Sequence, residues 1–84
     1  MTNYRIHIKL YTIDDIGSFI HKTDIFNEDI DLKYNSRTYD AKSLLAVMSI
    51  PLESNIEVEL LSDNIEAQID FYDCMKPFII KDGE

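Results

Sequence analysis

At 84 residues the chain has room for a single domain, read over 1–84, with a thin core, because only about 60–65% of the unfolded surface is buried at this size. Two Gly, two Pro and 45% apolar residues describe a globular chain and exclude a disordered one. Eight basic against 16 acidic residues, a net charge of −8, repel phosphates, which argues against nucleic acid and anionic membranes as partners.

Tyr4, Ile6, Ile8 and Leu10 alternate with Arg5, His7 and Lys9, a period of two that marks a half-buried strand with His7 on its polar side. Met1 to Arg5 carry no apolar leader, and no apolar run approaches about 18 residues, so a cytoplasmic location is expected. Ile13, Ile16, Phe19, Ile20 and Thr23 then follow helical spacing. Gly17 weakens that helix by about 1 kcal/mol relative to Ala. His21 reads as a solvated residue within it.

Ile30, Leu32 and Tyr34 alternate again, and Asn35-Ser36 separates them from Arg37-Thr38-Tyr39. This is a hairpin signal, because Asn tolerates the positive φ of a tight turn; Gly would suit the second position better than Ser36. Ser43 opens a short helix, Leu44 to Ile50, closed by Pro51. Ile56, Val58 and Leu60 give a fourth strand. Its Glu57 and Glu59, like Asp14/Asp15 and Glu28/Asp29/Asp31, have no oxygen-ligand loop spacing and read as solvated faces, with no metal site.

Ser62-Asp63-Asn64 lead into a last helix marked by Ile65, Ile69, Phe71, Tyr72, Met75 and Phe78, which Pro77 stops or kinks. The Phe78-Ile79-Ile80 segment beyond reads as a packed tail or a self-association edge. Cys74 is the only cysteine, which leaves no internal disulfide and no thiolate metal site; its apolar neighbours suggest a buried core thiol. The order β-α-β-β-α-β-α, with one apolar face per strand, calls for helices stacked on one side of an antiparallel sheet, an α+β open-faced sandwich.

The run Asp31-Leu32-Lys33-Tyr34-Asn35-Ser36-Arg37-Thr38-Tyr39-Asp40-Ala41-Lys42-Ser43-Leu44-Leu45-Ala46-Val47-Met48-Ser49-Ile50 resembles HPr, the small phosphocarrier family of the bacterial sugar phosphotransferase system. In that family a hairpin of the type LEYNGKTV leads into K-S-I-M-G-V-M-S-L, which holds a regulatory serine. The resemblance implies an HPr-like fold, a four-stranded antiparallel sheet with three helices on one face, and no cofactor. The family's G-I-H-A-R-P motif, whose histidine accepts the phosphoryl group, has no counterpart. Counting back from Lys42 without gaps puts Thr12 at the histidine, Asp14 at the arginine and Asp15 at the proline. Aligning Ile20-His21 with the family's I-H dipeptide instead leaves too few residues for a first helix.

Thr12 followed by Asp15 is close to a capping box, in which side chains satisfy the free N–H groups that would otherwise hold an anion. No catalytic residue is therefore assigned. The resemblance places regulatory phosphorylation at Ser43 and partner docking at Leu44, Leu45 and Met48. It is closest in kind to the Crh-like branch, which lacks the acceptor histidine and acts through its phosphoserine on a LacI-type transcription regulator. The implied partners are HPr kinase, such a regulator, or phosphotransferase-system proteins, and the implied role is non-enzymatic carbon catabolite regulation. Two other functions fit the same residues: an interaction module that is never phosphorylated, and a phosphotransfer protein with an unorthodox acceptor. Oligomeric state is left open.

Overall fold

The computed structural model describes residues 2–80; residues 1 and 81–84, which the single-domain reading over 1–84 also takes in, lie outside the described residues. The elements run β1 (Tyr4–Ile8), α1 (Ile13–Thr23), β2 (Ile30–Tyr34), β3 (Arg37–Asp40), α2 (Leu44–Met48), β4 (Ile56–Leu60) and α3 (Ile65–Met75). The four strands form one sheet in the order β1-β4-β2-β3, with every pairing antiparallel.

Register follows from the apolar alternation. Ile6 pairs with Val58, and Val58 with Leu32, so the three side chains form one row across the sheet on the helix side. Tyr4, Leu60 and Ile30 form the next row. Ile6, Ile8, Leu32, Val58 and Leu60 are all buried, as the period of two predicts. A slip of one residue would turn each of them to solvent.

The β2–β3 turn carries positive φ at both central residues, 53° at Asn35 and 66° at Ser36. Those are the signs a two-residue turn of the primed type needs, since only its twist matches the strands. Asn35 tolerates this conformation, whereas Ser36 adopts it at a cost.

Helix α1 buries Ile16, Phe19 and Thr23 against the sheet, α2 buries Val47, and α3 buries Phe71 and Met75. Aromatic edges lock these layers together. Phe71 meets Tyr4 and Phe26 edge-on, with ring centres 6.2 and 5.7 Å away, and Phe19 meets Phe78 at 6.0 Å. Burying a Phe side chain of this kind is worth about 1.5–3 kcal/mol.

Several expectations change. The first strand ends at Ile8 rather than Leu10, and α2 ends at Met48 rather than Ile50, although Leu10 and Ile50 are both buried. Ile13, expected on the apolar face of α1, is exposed, because it opens the helix ahead of the turn that reaches the sheet. In α3, Ile65, Ile69 and Tyr72 are also exposed. Helix α3 carries two apolar lines, and the one through Ala67, Phe71 and Met75 meets the core.

Cys74 is half-buried beside that line rather than fully enclosed. The segment after Pro77 is a packed tail: Ile79 bridges Ile8, Lys9 N–H donates to the Phe78 carbonyl at 3.0 Å, and Ile80 N–H donates to that of His7 at 3.0 Å. The tail covers part of the β1 edge, which would otherwise invite pairing with another chain.

Candidate functional site

Two helix N-termini carry the residues singled out above. Helix α1 opens on Thr12, which has extended backbone and whose Oγ1 accepts from Asp15 N–H at 3.0 Å. Asp15 returns the bond, its Oδ2 accepting from Tyr11 N–H at 2.9 Å and Thr12 N–H at 3.3 Å. The capping box read from the sequence is complete. Its carboxylate, with Asp14 beside it, puts negative charge at the positive end of the helix dipole. A second anion there would meet repulsion, with the Tyr11, Thr12 and Asp15 N–H groups already engaged.

Helix α2 opens on Ser43, whose Oγ accepts from Ala46 N–H at 3.3 Å. Asp40 shapes the approach, its carbonyl accepting from Ser43 N–H at 3.1 Å and its Oδ1 from Lys42 N–H at 2.9 Å. Lys42, next to Ser43 in the chain, directs its ammonium at the Phe26 carbonyl. Leu44, Leu45 and Met48 are exposed, Leu45 at 82%. A helix of five residues has one line to bury, and Val47 supplies it; the other apolar side chains are left outside.

The two termini lie towards opposite ends of α1: Ser43 opens α2 just after Ala41, whose carbonyl accepts from Thr23 Oγ1 at 3.5 Å at the C-terminal end of α1. Helices α1 and α2 pack together, and Glu53 N–H, in the loop after α2, donates to the Leu10 carbonyl at 2.8 Å just ahead of α1. Exposed Tyr11, Ile13 and Leu52 flank these segments. The arrangement offers the exposed apolar side chains of α2 with the Ser43 hydroxyl, which caps that helix, at its start.

His7 and His21 are exposed, His7 with Nε2 3.7 Å from Glu57. Among the described residues no group of three or more His, Cys, Asp or Glu converges as a metal site, and no helix is long and apolar enough to cross a membrane.

Glu59 corrects the reading of β4's carboxylates as solvated. It is buried on the open side of the sheet, between Lys33 Nζ at 2.9 Å, Arg5 Nε at 3.3 Å and Asn3 Nδ2 at 3.3 Å. The Lys33 bond, helped by Asn3 and Arg5 and opposed by burial, holds its carboxyl below the ordinary glutamate value. Asp31, paired directly across from it, is pushed up, first by desolvation and then by the Glu59 charge. Alternation alone puts Glu59 on the polar side; only its neighbours on β1 and β2 show that the side is covered there.

No protein-family model matches the sequence. Among solved structures, the crystal structure of HPr-C-His from Thermoanaerobacter tengcongensis is similar, with a TM-score of 0.66 and 21% identity over 90% of this chain and 92% of that one. Strand order, antiparallel pairing and three helices on one face agree with that likeness, and the chain has the HPr fold.

Proposed function

We propose that this chain is an HPr-like regulatory protein that carries no phosphoryl group on α1 and acts in carbon catabolite regulation by docking through Leu44, Leu45 and Met48. It works as a binding surface in the cytoplasm rather than as a catalyst. The observation that carries the reading is the Thr12–Asp15 capping box, which engages the Thr12 and Asp15 N–H groups and, with Asp14, sets negative charge at the end of α1 where a phosphate would need positive potential. The exposed leucines of α2 support docking, since contiguous apolar surface on a small domain usually has an occupant.

Ser43 is the control point. A phosphate on its Oγ can accept from the first-turn N–H groups of α2 at the positive dipole end, contacts worth about 0.3–1 kcal/mol each at exposed sites. Modification would leave the fold intact and change which partner binds. Ser43→Ala would cost about 1 kcal/mol of capping.

The test is incubation with HPr kinase and ATP, read by intact-protein mass spectrometry, followed by binding to a LacI-type regulator. One phosphate on Ser43 and binding that Leu45→Asp removes are expected. A chain left unmodified beside a modified HPr control would end the phosphoserine reading, leaving a plain docking module. Binding unaffected by Leu45→Asp would end the docking reading.

A further inference from the structure

A second apolar surface lies on α3 and plays no part in the reading above. Ile65, Ile69 and Tyr72 are 66%, 55% and 42% exposed. Their i, i+4, i+7 spacing makes them one continuous line along the helix. With Tyr4 and Gln68 they line a shallow, largely apolar concavity of about 400 Å³. The core needs only the opposite line, through Phe71 and Met75, so nothing in the fold requires isoleucines here.

A second line runs alongside. Glu66, Asp70 and Asp73 repeat at the same spacing, about 100° round the helix from the isoleucines. They form one wall of a groove of about 470 Å³ between α3 and the loop holding Ile25, Phe26 and Glu28. Helix α3 itself holds no Lys or Arg, and its C-cap Lys76 is held back against the helix, with Nζ 3.4 Å from Asp73 and 5.5 Å from the centre of the Tyr72 ring. The surface is therefore apolar on one side and anionic on the other over the three turns of an 11-residue helix.

Charge selects the occupant. A second copy would set acidic line against acidic line on chains that each carry −8. An anionic bilayer or a nucleic acid is repelled in the same way. We propose that α3 docks a cationic amphipathic helix of another protein. Its apolar residues would seat along Ile65, Ile69 and Tyr72, and its Lys or Arg side chains would reach Glu66, Asp70 and Asp73. This is helix-in-groove recognition, with burial supplying affinity and the ion pairs fixing orientation.

The probe is a synthetic helical peptide of about 16 residues, with Leu at i, i+4, i+7 and i+11 and Lys one position after each. Two controls replace all Lys by Glu or all Leu by Ser. Amide NMR of the whole chain should show shifts centred on residues 65–76 with the Leu/Lys peptide. Each control should bind at least about tenfold more weakly, as should Ile69→Ser and Asp70→Lys. Both positions are exposed, and the variants' own amide spectra establish that they fold. Equal binding of the Leu/Lys and Ser/Lys peptides would reduce the effect to bulk charge attraction and overturn the proposal. Shifts centred on α2 and abolished by Leu45→Asp would also overturn it, without touching the reading of α2. Self-association through α3 in sedimentation velocity, abolished by Ile69→Ser, would replace the proposed occupant by a second copy.

Discussion

Thr12 and Asp15 cap each other: the Thr12 hydroxyl accepts from the Asp15 N–H at 3.0 Å while the Asp15 carboxylate accepts from the Thr12 N–H at 3.3 Å. Both donors are closed, and Asp14 adds a second negative charge at the positive end of α1.

Incubation with phosphoenolpyruvate and enzyme I should accordingly leave no acid-labile phosphate on the protein. Thr12→His alone should recover little transfer, because Asp14 still repels the incoming group. Adding Asp14→Arg should recover more than either change alone, since the two act on one site. Radiolabel transfer to the three variants checks this, and acid-labile phosphate on the natural sequence would refute it.

Phe71 and Ile69 lie two positions apart on α3 and on opposite sides of it. Phe71→Ala should cost about 3–5 kcal/mol, emptying the space between Tyr4 and Phe26. Ile69→Ala should cost less than about 1 kcal/mol, because Ile69 stands outside the core. Urea midpoints for the two variants decide the matter; equal losses would mean that the outer line of α3 is packed in solution.

The hairpin turn offers a gain. Ser36 holds φ at 66°, where an L side chain is strained and Gly is not. Ser36→Gly should raise stability by about 0.5–1 kcal/mol, the larger entropy of the unfolded Gly chain offsetting part of the relief. A lower urea midpoint in this variant would show that Ser36 contributes a contact worth more than its strain.

Glu59 and Asp31 give stability opposite dependences on pH. The Glu59 carboxyl is depressed in the folded protein, so its contribution is present above the ordinary glutamate value and lost as pH falls through the folded one. Asp31 is raised; its charge destabilises the fold near neutrality, and protonation relieves that as pH falls through the raised value. Glu59→Gln should lower the urea midpoint at pH 7, and the gap to the natural protein should narrow as pH falls below the ordinary glutamate value and through the depressed one. Asp31→Asn should raise the midpoint at pH 7. The opposite order of the two variants would mean that the Lys33 ammonium is not held at Glu59.

The local features of this protein are legible in its sequence. The alternation of Ile56, Val58 and Leu60, the Asn35-Ser36 turn, the Thr12–Asp15 box and the Ser43 cap each depend on residues within about four positions of one another. Short-range geometry therefore suffices to read them. The likeness of the 31–50 segment to HPr carries the fold as well, because that hairpin and helix are consecutive.

Tertiary structure decides what depends on distant neighbours. It chooses which of α3's two apolar lines meets the sheet, since Phe71 finds Tyr4 and Phe26 there while Ile65 and Ile69 meet no core surface. It also buries Glu59, because β4 runs between β1 and β2 and brings Arg5 and Lys33 to one carboxylate. Both outcomes rest on which strands become neighbours, and periodicity within a strand fixes the side a residue faces but not what covers it.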